Sequence, residues 1–259
     1  MHTGDAMSVI DSKRYLVFKE LINNDVMALY TKKPFNFNYD VVGLKGRDKF
    51  YNRIQDDFDY TFRKKIYSEK QIHDSLICKI TEDNIDDEHT GYDGFITNLK
   101  GVSLEIRTAD CQSIFLYDPV KKVIGNIHSG WKGTVKRIII DAIEIMHRDY
   151  NCNKDDIKVF FNPSILGCCF EVDADVLEIF EEEFKEIEDF VRTGDIKQGK
   201  QKYYIDTVAL NKKLLIDLGI DEENIYCCDI CTKCKHDEYY SYRADGSEAG
   251  RNLSLICLK

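Results

Sequence analysis

The sequence predicts an α/β fold in which a mixed β-sheet is flanked by helices and a site lies at the strand ends. Three observations lead there. Two strand-like runs, Cys111 to Tyr117 and Lys122 to His128, are separated by Asp118 and Pro119, as in a hairpin. Ile138, Ile139, Ala142, Ile143, Ile145 and Met146 then recur at helical spacing, and Ile157 to Phe161 reads as another short strand. Strand, helix, strand implies a crossover, and hence a sheet that is parallel at least in part.

In chain order, residues 1–14 read as a flexible leader with no apolar signal-peptide core. Val26 to Thr31 is the expected opening strand and Asp48 to Phe58 a helix. Glu69 to Ile80 is expected as a strand, with Ile72, Leu76, Cys78 and Ile80 on one face and His73 on the other. The acidic run Glu82 to Glu88 reads as an exposed loop without a metal role. Asp93-Gly94 marks a turn before Phe95 to Thr97. Thr134 is the expected cap of the helix that follows the hairpin. Asp173 to Val191 reads as an amphipathic helix with Val176, Leu177, Phe180, Phe184 and Ile187 inward. Asp206 or Thr207 should cap a helix running through Leu218 and ended by Gly219, and Leu253 to Leu258 is the last strand. With three prolines and no Gly/Ser-rich tract there is no flexible linker, so 1–259 is read as one domain.

Composition narrows the function. A formal net charge of −10 argues against a general nucleic-acid binder, while leaving room for a small anion held by local arginines. No stretch approaches the roughly 18–20 apolar residues of a membrane span. Ten cysteines without an export signal suggest reduced thiols or metal sites rather than a disulfide framework, so a cytoplasmic location is the default. Oligomeric state is not legible.

The hairpin carries the sharpest chemistry. If Asp118 to Lys121 form its loop, Tyr117 faces Lys122, Phe115 faces Ile124, Ser113 faces Asn126 and Cys111 faces His128, with opposed Cβ atoms about 4.5–5.5 Å apart. Ile114, Leu116, Val123 and Ile127 then share the core face. His73, Cys111 and His128 would supply two imidazoles and a thiolate, a suitable zinc set with a fourth position for water. The plain alternative is a buried thiol and ordinary histidines. Copper could use the same set, but multicopper oxygen chemistry needs many imidazoles and the chain has six histidines. Arg53, Lys132, Arg243 and Arg251 are the candidate phosphate donors. Gly130, Gly133 and the following helix start form a plausible anion site. Asp110 is either a ligand-orienting carboxylate or a turn former, and Trp131 either stacks on a base or packs. Cys227, Cys228, Cys231 and Cys234 with His236 look like a second metal site. Their overlapping steps lack the two separated knuckles of a zinc ribbon, which favours packed thiols or a labile disulfide. Cys168-Cys169 reads as a structural turn.

Several ordered blocks carry a family likeness: Thr108-Ala109-Asp110-Cys111; His128-Ser129-Gly130-Trp131-Lys132-Gly133-Thr134; Asn162-Pro163-Ser164-Ile165 with Cys168-Cys169-Phe170-Glu171-Val172; and Ser241-Tyr242-Arg243-Ala244-Asp245-Gly246 with Gly250-Arg251. Together they resemble the multicopper polyphenol oxidoreductase (laccase-type) family, reinterpreted as zinc-dependent purine nucleoside phosphorylases with adenosine deaminase activity. The resemblance implies zinc on His73, Cys111 and His128, catalytic roles for Cys111, His128 and Arg53, and phosphate or substrate contacts from Arg53, Lys132 and Arg243. The implied partners are a purine nucleoside and phosphate. Tyr30-Thr31-Lys32-Lys33-Pro34 lacks the glycines of the family's N-terminal loop, and the H-x-E and P-C-x-x-C signature of zinc deaminases is absent. Other readings are a Cys–His amide hydrolase acting on a peptidoglycan precursor, a copper-dependent polyphenol oxidase, and a zinc or redox sensor built on the C-terminal cysteines.

Overall fold

Two six-stranded sheets lie face to face, and each turns its outer face to helices. The computed structural model describes residues 9–21 and 25–259. The chain runs through β1 (Val9–Asp11), β2 (Tyr15–Phe18), β3 (Val26–Thr31), α1 (Tyr39–Phe58) and β4 (Lys64–Tyr67). It continues through β5 (Ile77–Lys79), β6 (Gly94–Thr97), β7 (Val102–Thr108), β8 (Gln112–Asp118) and β9 (Val123–Ser129). Next come α2 (Trp131–Val135), α3 (Ile138–Tyr150), β10 (Lys158–Phe161), β11 (Glu171–Val172) and α4 (Ala174–Glu183). Then follow β12 (Val191–Lys197), β13 (Lys200–Ile205), α5 (Thr207–Leu218), β14 (Ile225–Cys227), α6 (Tyr242–Asp245) and β15 (Asn252–Leu258).

The fold is mixed α/β, but in place of one sheet the described residues form three, ordered β1-β2-β3-β15-β7-β4, β14-β10-β8-β9-β6-β5 and β11-β13-β12. The two large sheets interdigitate Ala28, Tyr30, Leu104 and Ile256 with Phe95, Phe115, Tyr117 and Phe160. On the outer face of the first, Met27, Leu29, Leu253 and Leu255 pack with Tyr51 and Ile54 of α1. On the outer face of the second, Ile114, Leu116 and Ile127 pack with α3 and α5. Both faces of β3, β8, β9 and β15 are buried, which is why their sequences read as nearly continuous apolar runs. The crossover from β9 through α3 to β10 brings the two strands parallel, with β8 antiparallel to both between them. Among the described residues, no helix is long and apolar enough to cross a membrane.

Several expectations need correction. The hairpin register is two residues off: Asp118 faces Val123, Phe115 faces Asn126 and Ser113 faces His128. The Asp118 carboxylate accepts the N–H groups of Val120 and Lys121, both at 2.8 Å, and Lys122 takes a φ of 55°, so Pro119 to Lys122 make the loop. A shift of two preserves each residue's face, so Ile114, Leu116, Val123 and Ile127 remain together in the core while Cys111 falls beyond the ladder. The strand expected over Glu69 to Ile80 exists only at β5, and Ile72 and Leu76 are exposed. Thr134 does not cap α3. Its hydroxyl is buried against Ser129 at 3.1 Å and accepts from Asn211 at 3.1 Å, and the helix restarts after Arg137 in the left-handed region. The helix from Asp173 stops at Glu183, whose carbonyl takes the Arg137 guanidinium at 2.7 Å. The β12–β13 hairpin was not foreseen; Gln198 and Gly199, both at positive φ, turn it. Of the expected leader, residues 9–14 belong to the β1–β2 hairpin, and 1–8 lie outside the described residues. Other expectations held: Val26–Thr31 is β3, and α5 starts with the Asp206 carboxylate accepting from Ala209 N–H at 2.9 Å and ends at left-handed Gly219.

One buried carboxyl makes stability depend on pH. Glu105 of β7 points toward α1, where Tyr51 donates to it and Ser103 donates at 2.8 Å. Burial outweighs these bonds and pushes its pKa from 4.5 up to about 7. A raised folded pKa means the stabilisation is complete below the unfolded value and is lost as pH rises through the folded one. Between about pH 5 and about pH 8 the protein should lose on the order of 2 kcal/mol through this group. Glu105→Gln should abolish most of that slope in denaturant unfolding; an unchanged slope would assign the pH dependence elsewhere.

Candidate active site

At one end of the two large sheets, the ends of β7 and β9 and the starts of β6 and β8 converge, and a cavity of about 580 Å³ opens there. Such a volume suits a small organic ligand. On its floor, the ligand atoms of His73, Cys111 and His128 all lie within 4.8 Å of one another. The rings of His73 and His128 stand edge to face with centroids 4.8 Å apart.

The organiser of this trio is Asp93, fully buried ahead of β6. Its Oδ1 is 2.8 Å from His128 Nδ1 and accepts the His73 N–H at 3.1 Å, while Oδ2 accepts the Asp74 N–H at 2.8 Å. Its main-chain carbonyl also takes the His128 N–H at 2.6 Å. One carboxylate thereby orients one imidazole and bends the loop that presents the other, placing His73 at φ 58°. This is why the loop is not a strand: its amides bond a side chain rather than a ladder. The sequence reading assigned Asp93 only to a turn and missed it. The signal available was a carboxylate one strand away from a histidine, which gains meaning only once β6 pairs with β9.

Gly130 keeps the site uncrowded. A Cβ there would lie 3.3 Å from His73 Cδ2 and 3.4 Å from Cys111 Sγ, so the bare backbone lets the three side chains close together. Burial raises the Cys111 thiol, but the adjacent imidazoles of His128 and His73 outweigh it and bring the thiol down to about 6. For His128, burial lowers the pKa, and Asp93 and Cys111 outweigh it to hold it up at about 9. Each group thus favours the charged form of the other, and a thiolate is both a metal ligand and a nucleophile.

Around the rim, Arg107, Arg243 and Arg251 line the cavity. Arg243 is anchored through Nη1 to the carbonyls of Cys169 and Glu171, at 3.3 and 2.9 Å, and Arg251 through Nη1 to those of Ala249 and Gly250. A guanidinium has five N–H donors in a fixed fork, so anchoring by one nitrogen aims the rest. Arg107, beside the Thr108 block, was missed; Gln71 clasps its backbone from both sides and ties the His73 loop to the end of β7. Arg53 stands away from the lining, on α1, with its guanidinium 2.9 Å from Asp57. Lys132 is also outside it, exposed, its ammonium 5.5 Å from the Trp131 ring centre. Trp131 lines the cavity while packing on Phe180. Asp110, at φ 92°, joins loops: it accepts from Thr232 Oγ1 at 2.7 Å and from the Arg243 N–H at 2.6 Å. The helix beginning after Gly130 is only the five residues of α2, too short for the dipole that the anion-site expectation invoked.

The donor set fits zinc. Two imidazoles and a thiolate are its usual partners, and His128 has the carboxylate behind Nδ1 that leaves Nε2 to ligate. Multicopper chemistry fits poorly: among the described histidines only His73 and His128 line the cavity, while His147 bonds the Cys152 carbonyl and His89 packs by Cys78 and Phe95.

Fold and site thus define an α/β protein with a His–Cys–His group at the base of an arginine-rimmed cavity. Its backbone superposes on the YfiH protein of Bacillus licheniformis with a TM-score of 0.86, at 24% identity over 98% of this chain and 100% of that one. Residues 48–259 match the family described as multi-copper polyphenol oxidoreductase laccase, and the chain belongs to that family of enzymes. Among its relatives, the purine nucleoside phosphorylase YlmD of Bacillus subtilis (strain 168) is 32% identical, over 92% of this chain and 90% of its own length. A purine nucleoside phosphorylase of Borreliella burgdorferi is 34% identical, over 92% and 94%. A protein named adenosine deaminase RL5, from an unknown prokaryotic organism, is 32% identical over 73% of this chain and 74% of its own.

Proposed function

We propose that this chain, acting as one cytoplasmic domain, is a zinc-dependent purine nucleoside phosphorylase with adenosine deamination as a second activity. Its substrates are adenosine, inosine, guanosine or methylthioadenosine, with inorganic phosphate as co-substrate. The observation that carries the reading is the gathering of His73, Cys111 and His128 beneath the arginine rim, and the names of the relatives support it. His73, Cys111 and His128 would hold the metal, which when bound supplies Lewis-acid polarisation of an oxygen ligand.

The chain's own residues do the remaining work. Arg243, Arg107 and Arg251 hold the phosphate charge and direct one oxygen at the ribose. That oxygen bonds to the anomeric carbon as the C–N bond breaks, and the bonding pair leaves with the purine, which takes up the proton that the hydrogen phosphate gives up. Trp131 and Phe170 offer flat apolar walls for the base. In this reading the phosphate subsite passes from Arg53 and Lys132 to the arginines lining the cavity.

The depressed Cys111 thiol beside His128 favours a second reading, an amide hydrolase with Cys111 as nucleophile. Metal removal separates the two. Dialysis against a chelator should abolish nucleoside cleavage, and added zinc should restore it. Amide cleavage that persists after chelation, without nucleoside turnover, would establish the hydrolase.

A further inference from the structure

We propose that Cys168, Cys169, Cys231 and Cys234 form a second metal site, a four-thiolate zinc centre that staples together two loops of the cavity wall. The sequence grouped Cys231 and Cys234 with Cys227, Cys228 and His236. The structure divides them differently: Cys228 is buried between the large sheets, Cys227 belongs to β14, and His236 lies 3.7 Å from Asp245. Cys168 and Cys169, some sixty residues earlier, come in to take their places.

The geometry points to metal rather than to packing. The four sulfurs all lie within 4.8 Å of one another. Cys234 Sγ is 3.8 Å from Cys168 Sγ and 3.4 Å from Cys169 Sγ. A zinc–sulfur bond of about 2.3 Å gives a tetrahedron with edges of about 3.8 Å, so the thiols already approximate a coordination shell. Cys231-Thr232-Lys233-Cys234 has the step of a metal knuckle. Cys168 and Cys234 are exposed, so an ion can enter, releasing the thiol protons to water. All four cysteines are free.

The position explains what the staple does. The Cys169 carbonyl receives the Arg243 guanidinium, and Thr232, between the other pair, donates to Asp110. Asp110 adjoins Cys111 and also takes the Arg243 N–H. A metal here fixes the loop after β10 to the loop before α6, and so the placement of Arg243 at the rim. It makes no contact with the His73, Cys111 and His128 trio.

The full chain with Cys111→Ala isolates this site, because it removes a ligand of the first. Reduced, metal-free protein of this variant is titrated with cobalt(II) and separately with zinc. The expected result is one equivalent bound, with the strong visible bands and sulfur-to-cobalt charge transfer of tetrahedral thiolate coordination. Adding Cys168→Ser and Cys234→Ser, both at exposed positions, should remove the bands and the equivalent while the circular dichroism is kept. Absence of thiolate bands, a stoichiometry unchanged by the two serines, or a protein mass lower by two hydrogens from a disulfide would each overturn the proposal. Because Cys111 is absent throughout, failure of the nucleoside reading leaves this result untouched.

Discussion

Cys111→Ala is expected to lose one zinc per chain and about a thousandfold in kcat/KM for phosphorolysis, on the order of 4 kcal/mol of transition-state stabilisation. The thiol is the charged member of the three-ligand group, and His73 and His128 alone make a two-ligand set with much weaker hold. Cys111 lies beyond the β8–β9 ladder and outside the apolar clusters of the core, so the truncation should cost little stability, and unchanged circular dichroism checks this. Asp93→Asn supplies the graded comparison. It keeps an oxygen for the loop amides but weakens the orientation of His128, and should lower zinc affinity by about 10–100-fold. Excess zinc should then rescue Asp93→Asn but not Cys111→Ala. Elemental analysis of both variants after zinc loading checks this, and full zinc content in Cys111→Ala would move the metal elsewhere.

Arg243→Ala is expected to raise the KM for phosphate by about 10–100-fold, the loss of one charge-assisted hydrogen bond or a bidentate pair. The KM for nucleoside should change little. That split matters, because Arg243 also ties down the carbonyls of Cys169 and Glu171. A general loosening of the wall would weaken both substrates together. Arg243→Lys should recover only part of the loss, since an ammonium keeps the charge without the planar fork. Arg53→Ala, at a residue paired with Asp57 away from the cavity, should leave the phosphate KM unchanged. Steady-state kinetics with each substrate varied in turn decides the matter.

What could be read from sequence was what depends on local pattern. The hairpin, α5 with its Asp206 and Gly219 ends, and the last strand all follow from alternation, capping and spacing. The three potential ligands were legible as residue types, and His73 and Cys111 do meet. The path to that meeting was not legible, because it depends on Asp93 gathering two loop amides and an imidazole from three separate segments. The same limit explains the cysteines. Spacing along the chain joined Cys231 and Cys234 to Cys227 and Cys228, but the fold joins them to Cys168 and Cys169, which no local rule could supply. The hairpin register failed by two residues because a side-chain bond of Asp118 moved the turn, and even spacing hid the error by keeping every side chain on its own face.

The central claim is that phosphate, not water, receives the sugar. Zinc-loaded protein is incubated with inosine, with and without inorganic phosphate, while free base is followed by chromatography and the sugar product by phosphorus NMR. The account predicts base release only with phosphate, in step with a new ribose 1-phosphate resonance. Base release at the same rate in phosphate-free buffer, yielding free ribose, would contradict it.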